Sequence, residues 1–431
     1  MSTYRNEAAR DGRSSTLKLR TAAAIGTLLA LGLIGCGTSG SQAGSGSQAD
    51  SGSCKGEPIK LMTIFSLSGP LATTKNEVPT AASVAAKALN RTCAGGRPVA
   101  ITVCDDQSSA NGSVLCGNKA RSNGTLALIG FTAGAGSSDQ GAQTANLPAF
   151  FTTNQTGWDN TSKLSYPSNY PLLGVTGQVK VAKALDKKSF TLTAVDVPPA
   201  HVQAQIASDT AKAGGIAFHE LYFPLTTTDF ASVAAQLVSS GTESVDPLVI
   251  QPQQFVKALY SAGFDPSKST IIADEGIITP DQKKTLATEL NGAYEVGGII
   301  PASTESNAGI RQMTDEYKAA GESFSPQIST YAVQEWTAVH AFGEALKGLE
   351  KAKIEKLSSD SAIDAVVSHG EYALPTLAPF DFSSGNPFPA TSPLGQGRVF
   401  SKAQQVFAIK DGISVPVGSF QSVTGDISAH E

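Results

Sequence analysis

The sequence predicts an α/β protein built as two doubly wound, parallel-sheet lobes. Three observations carry that expectation. Short β-branched or aliphatic runs alternate with alanine-rich helical patterns, the arrangement that yields parallel sheets covered by helices. The alternation lapses over the irregular, tyrosine-containing stretch Trp158 to Leu173 and then restarts. Beyond an N-terminal leader and tether the chain keeps about 375 residues, which the usual length of ~100–200 residues per domain turns into two domains.

In the first series, Pro58 to Phe65 (PIKLMTIF) reads as a strand. A helix follows from Val78 to Leu89, where Val78, Ala81, Ala82, Ala85, Ala88 and Leu89 share one face. Strand Val99 to Val103, helix Gly112 to Arg121, strand Leu126 to Gly130, helix Asp139 to Ala145 and strand Pro148 to Thr152 complete it. The second series runs through helix Gly177 to Leu185, strand Phe190 to Val195, helix His201 to Ala213 and strand Phe218 to Phe223. It continues with helix Phe230 to Ser239, strand Pro247 to Ile250, helix Gln253 to Ala262 and strand Thr270 to Ala273. Val406 to Val417, split by Asp411-Gly412, reads as a hairpin. Asp381 to Gln396, rich in Pro and Gly, reads as a surface loop. Two such units side by side leave a cleft, and sheets of this kind bind ligands at the carboxyl ends of their strands.

Ahead of the folded part, Arg5, Arg10, Arg13, Lys18 and Arg20 flank the apolar run Thr21 to Ile34. That run is short of the ~20 residues a membrane span needs and matches the core of a secretory signal. Leu33-Ile34-Gly35-Cys36 resembles a bacterial lipobox, which implies cleavage after Gly35, diacylation of Cys36 and a lipid-anchored, extracytoplasmic protein. The alternative is a free cysteine behind an ordinary signal peptide. Residues 36–53, almost purely Gly, Ser, Ala and Gln, form a flexible tether.

Hydrophobic residues make up 41% of the chain, which supports real cores, and the net charge of −5 leaves no basic face for nucleic acid. Four cysteines remain after Cys36, in a compartment where pairing is expected. Three connectivities are possible. Cys54 with Cys93 brackets one strand and helix, and Cys104 with Cys116 brackets a strand end and the following helix; this pairing is favoured. Chain entropy assigns such loops ~4 and ~3 kcal/mol. A zinc site lacks a CxxC pair or clustered histidines, so no metal or cofactor is expected.

Enzymatic readings find little support. The Gly130 to Gly136 turn lacks the Lys-Ser/Thr ending of a phosphate loop and the dinucleotide fingerprint. Neither a G-x-S-x-G elbow nor an HExxH helix occurs. Asp105 and Asp106 are adjacent on a strand and face opposite ways, which disfavours paired acid/base work.

Several landmarks, in order, resemble the type I periplasmic solute-binding proteins, and within them the branched-chain amino-acid-binding group. They are Leu67-Ser68-Gly69-Pro70, Cys104-Asp105-Asp106-Gln107, Leu147-Pro148, Thr228-Asp229-Phe230, Asp274-Glu275-Gly276 and Thr330-Tyr331-Ala332. The resemblance spans nearly all of Cys54 to Phe420. It implies a monomeric, non-enzymatic lipoprotein that closes on a small polar solute, an amino acid or related compound, and delivers it to an ABC permease. A ligand-sensing receptor of the same fold is the alternative. It also implies three hinge crossings, near Leu173–Thr176, Ser303–Ser306 and Thr376–Phe380. The first lobe would then hold residues 54–174 and 304–378, and the second 175–303 and 379–424, with the hairpin completing the second.

For the site, the resemblance implies a ligand contact at Ser68. It also implies a ligand carboxylate held through hydroxyls and helix-terminal amides by Thr153, Asn154 and Gln155 and by the turn after the third strand. In that turn Gly134 stands in place of the family's serine, so that Thr132, Ser137 or bare backbone must substitute. Glu275 aligns with the acid that meets a ligand ammonium, a charge-assisted hydrogen bond. The plainer readings are that Ser137 and Ser138 cap a helix, that Thr153 ends a strand, and that Glu275 sits in a solvated turn. Two aromatic positions of the family hold Leu71 and Ala200 instead. Trp158, Tyr166 or Tyr170 could fill that gap, and His201 could reach the ligand or serve as a solvent-facing cap.

Overall fold

In the computed structural model, which describes residues 54–69, 72, 76–93, 96–130, 138–154, 157–249 and 251–430, the first strand, β1 (Ile59–Phe65), is buried at every position except Lys60. Near-continuous burial is the mark of a strand covered on both faces. It is followed by α1 (Glu77–Thr92), β2 (Val99–Asp105), α2 (Ala110–Ser122), β3 (Ala127–Ile129), α3 (Ser138–Ala145), β4 (Ala149–Thr153), α4 (Gly157–Thr161) and β5 (Ser165–Asn169). The five strands pair in parallel in the order β2-β1-β3-β4-β5. Residues 1–53, where a signal peptide, a tether and the lipidated Cys36 are expected, lie outside the described residues.

The stretch expected to be irregular therefore carries a short helix and a strand. Pro167 sits inside β5, which masked the strand in the sequence; β5 is the sheet edge, where a missing N–H costs least.

The second series is α5 (Pro171–Ala184), β6 (Ser189–Val195), α6 (Pro198–Gly214), β7 (Ala217–Phe223), α7 (Ala231–Ser240), β8 (Ser244–Leu248), α8 (Pro252–Ser261), β9 (Thr270–Asp274), α9 (Pro280–Thr285) and β10 (Tyr294–Gly297). Then come α10 (Ala308–Ala320), α11 (Thr330–Lys347), α12 (Lys351–Glu355), α13 (Ser359–Ser368), β11 (Glu371–Tyr372), β12 (Phe380–Asp381), β13 (Ala403–Lys410) and β14 (Ile413–Ser422). The second sheet has seven strands in the order β14-β13-β10-β9-β8-β6-β7. It is parallel from β10 to β7, with the β13–β14 hairpin added antiparallel at its edge. Strand β8 begins three residues before the expected Pro247 start. Pro247 lies beyond the stretch paired with β9, so its missing N–H breaks no rung on that side.

The chain passes between the sheets three times. The first passage, Asn169 to Pro171, joins β5 to α5; Leu173–Thr176, where it was expected, already belongs to α5. The second leaves β10 and the third returns to β13, and they pair with each other: Ile300 N donates to Thr376 O at 2.9 Å and Ala378 N to Gly298 O at 2.7 Å. Two extended strands linked in this way bend together, as a hinge requires.

Helix α11 ties the second half of the sequence to the first sheet. Ser329 caps it through Ala332 N, and it is buried around nearly its whole circumference against α1, β3 and β4. A helix enclosed on nearly all sides belongs in a core, and its buried polar groups are paired there, Glu335 accepting from Thr63 and Gln334 from Thr153. The loop after β12 is more than a surface loop. Phe382 and Leu394 are buried, and the Phe382 ring packs on Phe151, Tyr166, Tyr372, Phe380 and Phe400. Cys54 bonds Cys93 and Cys104 bonds Cys116, the favoured pairing. Among the described residues, no helix is long and apolar enough to cross a membrane.

Candidate functional site

The carboxyl end of β1 is held by two acids from the end of β2. The Ser68 hydroxyl donates to Asp105 Oδ2 at 2.6 Å, and Leu67 N and Ser68 N donate to Oδ1. Ser66 Oγ donates to Asp106 Oδ1 at 2.7 Å. Partial burial pushes the Asp105 pKa up, but the hydrogen bonds from Ser68, Gln107 and Leu67 outweigh it and hold the carboxyl below its ordinary value. Gly69 (φ 89°) is required here, because a Cβ would come within 2.5 Å of Gln107 O. Ser68 is exposed, yet its hydroxyl is already engaged.

Thr153 does not present its hydroxyl to open space. It is 1% exposed and donates to Gln334 Oε1 of α11 at 2.6 Å. The cause is local: Phe151 sits at φ 58° and the β4–β5 register shifts on both sides of Thr152, so simple alternation fails at this strand end. Asn154 Nδ2 donates to Asn160 Oδ1 at 3.0 Å and Arg398 O at 3.3 Å, while its buried Oδ1 has no hydrogen-bond partner. Thr132, Ser137, Gln155 and Leu71 lie outside the described residues.

His201 opens α6 on the surface. Its Nε2 lies 2.9 Å from Asp196 Oδ1 and its ring packs 4.3 Å from Tyr222, with about half the side chain exposed. Ala200 is buried. Tyr166 and Tyr170 both belong to the core, where the Tyr170 hydroxyl donates to Pro167 O at 2.5 Å and accepts from Phe400 N at 2.9 Å. Trp158 packs beside a small core cluster under α2 and α3.

Glu275 stands where the two sheets meet. It follows β9 directly, its N–H donates to Val296 O at 3.0 Å, and it packs on Gly297, where any Cβ would lie 2.3 Å from that of Glu275. Thr330, the first residue of α11 on the other side, and the backbone of Ile299 both act on its carboxylate to favour the ionised form. Oε1 is enclosed with no hydrogen-bond partner. Burial, and behind it the Glu295 charge, push the pKa up to about 8 against the weaker pull of Thr330, Lys283 and Ile299. Asp274, beside it, is also driven well above its ordinary value by burial, then by Glu275 and Asp246. A nearby buried cation is committed elsewhere: Lys283 Nζ donates to Glu295 Oε1 and Oε2 at 3.0 and 2.9 Å and to Ser414 Oγ at 2.7 Å.

Tyr331 completes this corner and was missed as a site residue, although Thr330-Tyr331-Ala332 stood out as a landmark. Its ring lies 6.2 Å from that of Phe65, and burial with the Glu275 and Asp274 charges pushes its hydroxyl to about 12. Next to Gly276, Thr330 and Tyr331 opens a cavity of about 470 Å³ between the β9–α9 segment, the approach to α11 and the β13–β14 turn. Among the described residues, no group of three His, Cys, Asp or Glu could hold a metal.

Two mainly parallel sheets, paired crossing strands and an acid at their junction define a two-lobed binding fold. The chain belongs to the periplasmic binding protein family, whose model matches residues 58–398, and this is a family of extracytoplasmic binding proteins rather than enzymes. No curated protein matches the sequence. Solved structures share the fold. An extracellular ligand-binding receptor from Verminephrobacter eiseniae is similar at 17% identity and TM-score 0.67, over 83% of this chain and 99% of that one. A solute-binding protein of an ABC transporter from R. palustris, in complex with benzoate, is similar at 15% identity and TM-score 0.64, over 84% and 96%. A leucine-binding protein from Thermotoga maritima is similar at 13% identity and TM-score 0.62, over 84% and 99%.

Proposed function

We propose that this chain is a lipoprotein, anchored through Cys36 on the extracytoplasmic side, that captures a small polar solute between its sheets and delivers it to an ABC permease as a monomer. The observation that carries the reading is Glu275: a half-buried acid after β9 whose Oε1 is enclosed and lacks a donor. A buried acceptor without a partner costs about 1–3 kcal/mol, which a ligand N–H would recover. Capture is hinge closure, with the strands around Ile299 and Leu377 bending and the solute shifting the open–closed equilibrium. An ammonium on Glu275 would favour its ionised form and so release a proton at neutral pH.

The test is thermal shift of the full chain against amino acids, amides, urea and small carboxylic acids, followed by calorimetry. A solute at 100 times its Kd adds about 2.7 kcal/mol of stability. Glu275→Gln should abolish the response while the melting of the free protein is retained; unaltered affinity in that variant would sink the site. Mass spectrometry of membrane-extracted protein should find a diacylated Cys36 at the N-terminus, and an unmodified thiol would refute the anchor.

A further inference from the structure

We infer that the cavity between the β9–α9 segment, the approach to α11 and the β13–β14 turn is a second binding site, separate from the solute anchor, which takes an uncharged apolar molecule and through it holds the hinge. The inference does not rest on Glu275, because neither Glu275 nor Asp274 lines this space. Position supplies the hold on the hinge. One wall, residues 326–331, leads into α11, which packs against the first sheet through β3 and β4. The facing walls, residues 276–280 and 411–414, are loops of the second sheet. Pro301 and Ser303 also line it, directly after the crossing strand that Ile300 N bonds to Thr376 O. A body seated between walls attached to different sheets favours the hinge angle that fits it and opposes the others.

The lining selects an apolar occupant, because its inner polar groups are already satisfied by the protein. Thr279 Oγ1 accepts from Gln282 N at 3.3 Å and Ser329 Oγ from Ala332 N at 3.4 Å. Lys283 Nζ donates to Glu295 and to Ser414 Oγ, and Ser414 Oγ donates in turn to Glu295 Oε2. Apolar side chains supply the rest from both sides: Ile278 and Ile328 are buried, and Ile277 and Tyr331 are partly buried. Ile413, at the rim, keeps half its surface exposed, which an apolar occupant would cover.

Charge gives the same answer. The Lys283 ammonium is neutralised by Glu295 at 2.9 Å, and Lys284 and Asp411, both exposed, stand at the edge with opposite signs. A charged group drawn inside would lose its water without gaining a partner, whereas an apolar body gains by leaving water. The volume of about 470 Å³ exceeds what eight carbon-sized groups require at ~30 Å³ each, the share of a water in the liquid. It falls in the ~300–1,000 Å³ range of sites that enclose drug-sized ligands.

The experiment is calorimetry on the full chain with 1-octanol, octanoate and octylamine, three probes of one length and different charge. 1-Octanol should bind at least tenfold tighter than either ion. Ile413→Lys, a change at an exposed position, and Ile328→Trp, which fills the space, should each weaken 1-octanol at least tenfold. Hydrogen exchange at the Ile300 and Ala378 amides, which pair the crossing strands, should slow severalfold with 1-octanol bound. Failure of 1-octanol to bind, either ion matching it, or unaltered affinity in both variants overturns the site. Binding with unchanged exchange at both amides overturns the hold on the hinge. None of these outcomes bears on the solute reading, which the solute panel and Glu275→Gln decide separately. The comparison of the three probes and the exchange measurement need no variant, so they settle the matter even where Ile328→Trp impairs folding.

Discussion

Asp246 offers a test of how burial writes pH dependence into this fold. It lies on β8, 2% exposed, its Oδ1 has no hydrogen-bond partner, and it is helped only by Gln178 of α5. Burial pushes its pKa from 3.8 up to about 8, against the smaller opposing effect of Gln178. A raised carboxyl pKa means that the folded protein holds a proton that the unfolded chain releases. Stability from this group is therefore complete below about 3.8 and is lost as pH rises to about 8. Each pH unit in that window costs about 1.4 kcal/mol, so the whole window is worth on the order of 5 kcal/mol. Asp246→Asn keeps the shape of the neutral acid and removes the titration. Urea unfolding of the parent and variant from pH 4 to 8.5 isolates the effect of Asp246 and of its coupling to Asp274, because groups that do not interact with Asp246 cancel in the difference. The parent should lose several kcal/mol relative to the variant across that range. Parallel curves would show that Asp246 is ionised and solvated in the folded state, and the burial argument would fail.

Three further outcomes follow from the packing. Lys283→Met strands the buried Glu295 and should cost about 3–5 kcal/mol in urea unfolding, while adding Glu295→Leu should restore most of it. Replacing both Cys104 and Cys116 by Ser should lower stability by about 3 kcal/mol, since the bridge closes a short loop; an unchanged unfolding midpoint would contradict this. Thr153→Val leaves Gln334 Oε1 without its donor and should cost about 1–3 kcal/mol with solute affinity unaltered. A large affinity loss in that variant would return Thr153 to the ligand site.

Much of the fold was legible because period and composition are local. The buried strands read as aliphatic runs, the helices as alanine-rich faces, and the hairpin as a split apolar run around Asp411-Gly412. Strand β5 was illegible because Pro167 and its polar neighbours hide a strand that only the sheet edge tolerates. The cysteine pairing could be favoured because each pair brackets a single unit of the winding.

The site divides differently. The alternation and the ordered landmarks were enough to place Glu275 at a strand end, since carboxyl ends of parallel strands gather at one rim. Local pattern could not show that Thr153 turns inward, because the bulge at Phe151 breaks the period of two on which any facing argument depends. Nor could it show that Tyr331 and Thr330, more than fifty residues from Glu275 in the chain, close the same corner. That contact exists only because α11 returns to the first sheet while β9 stays in the second. The sequence by itself determined the periods and the kinds of side chain available at each strand end. Tertiary structure alone decided which of them face each other and which lose water, because enclosure and the pKa shifts it produces depend on neighbours brought together from distant parts of the chain.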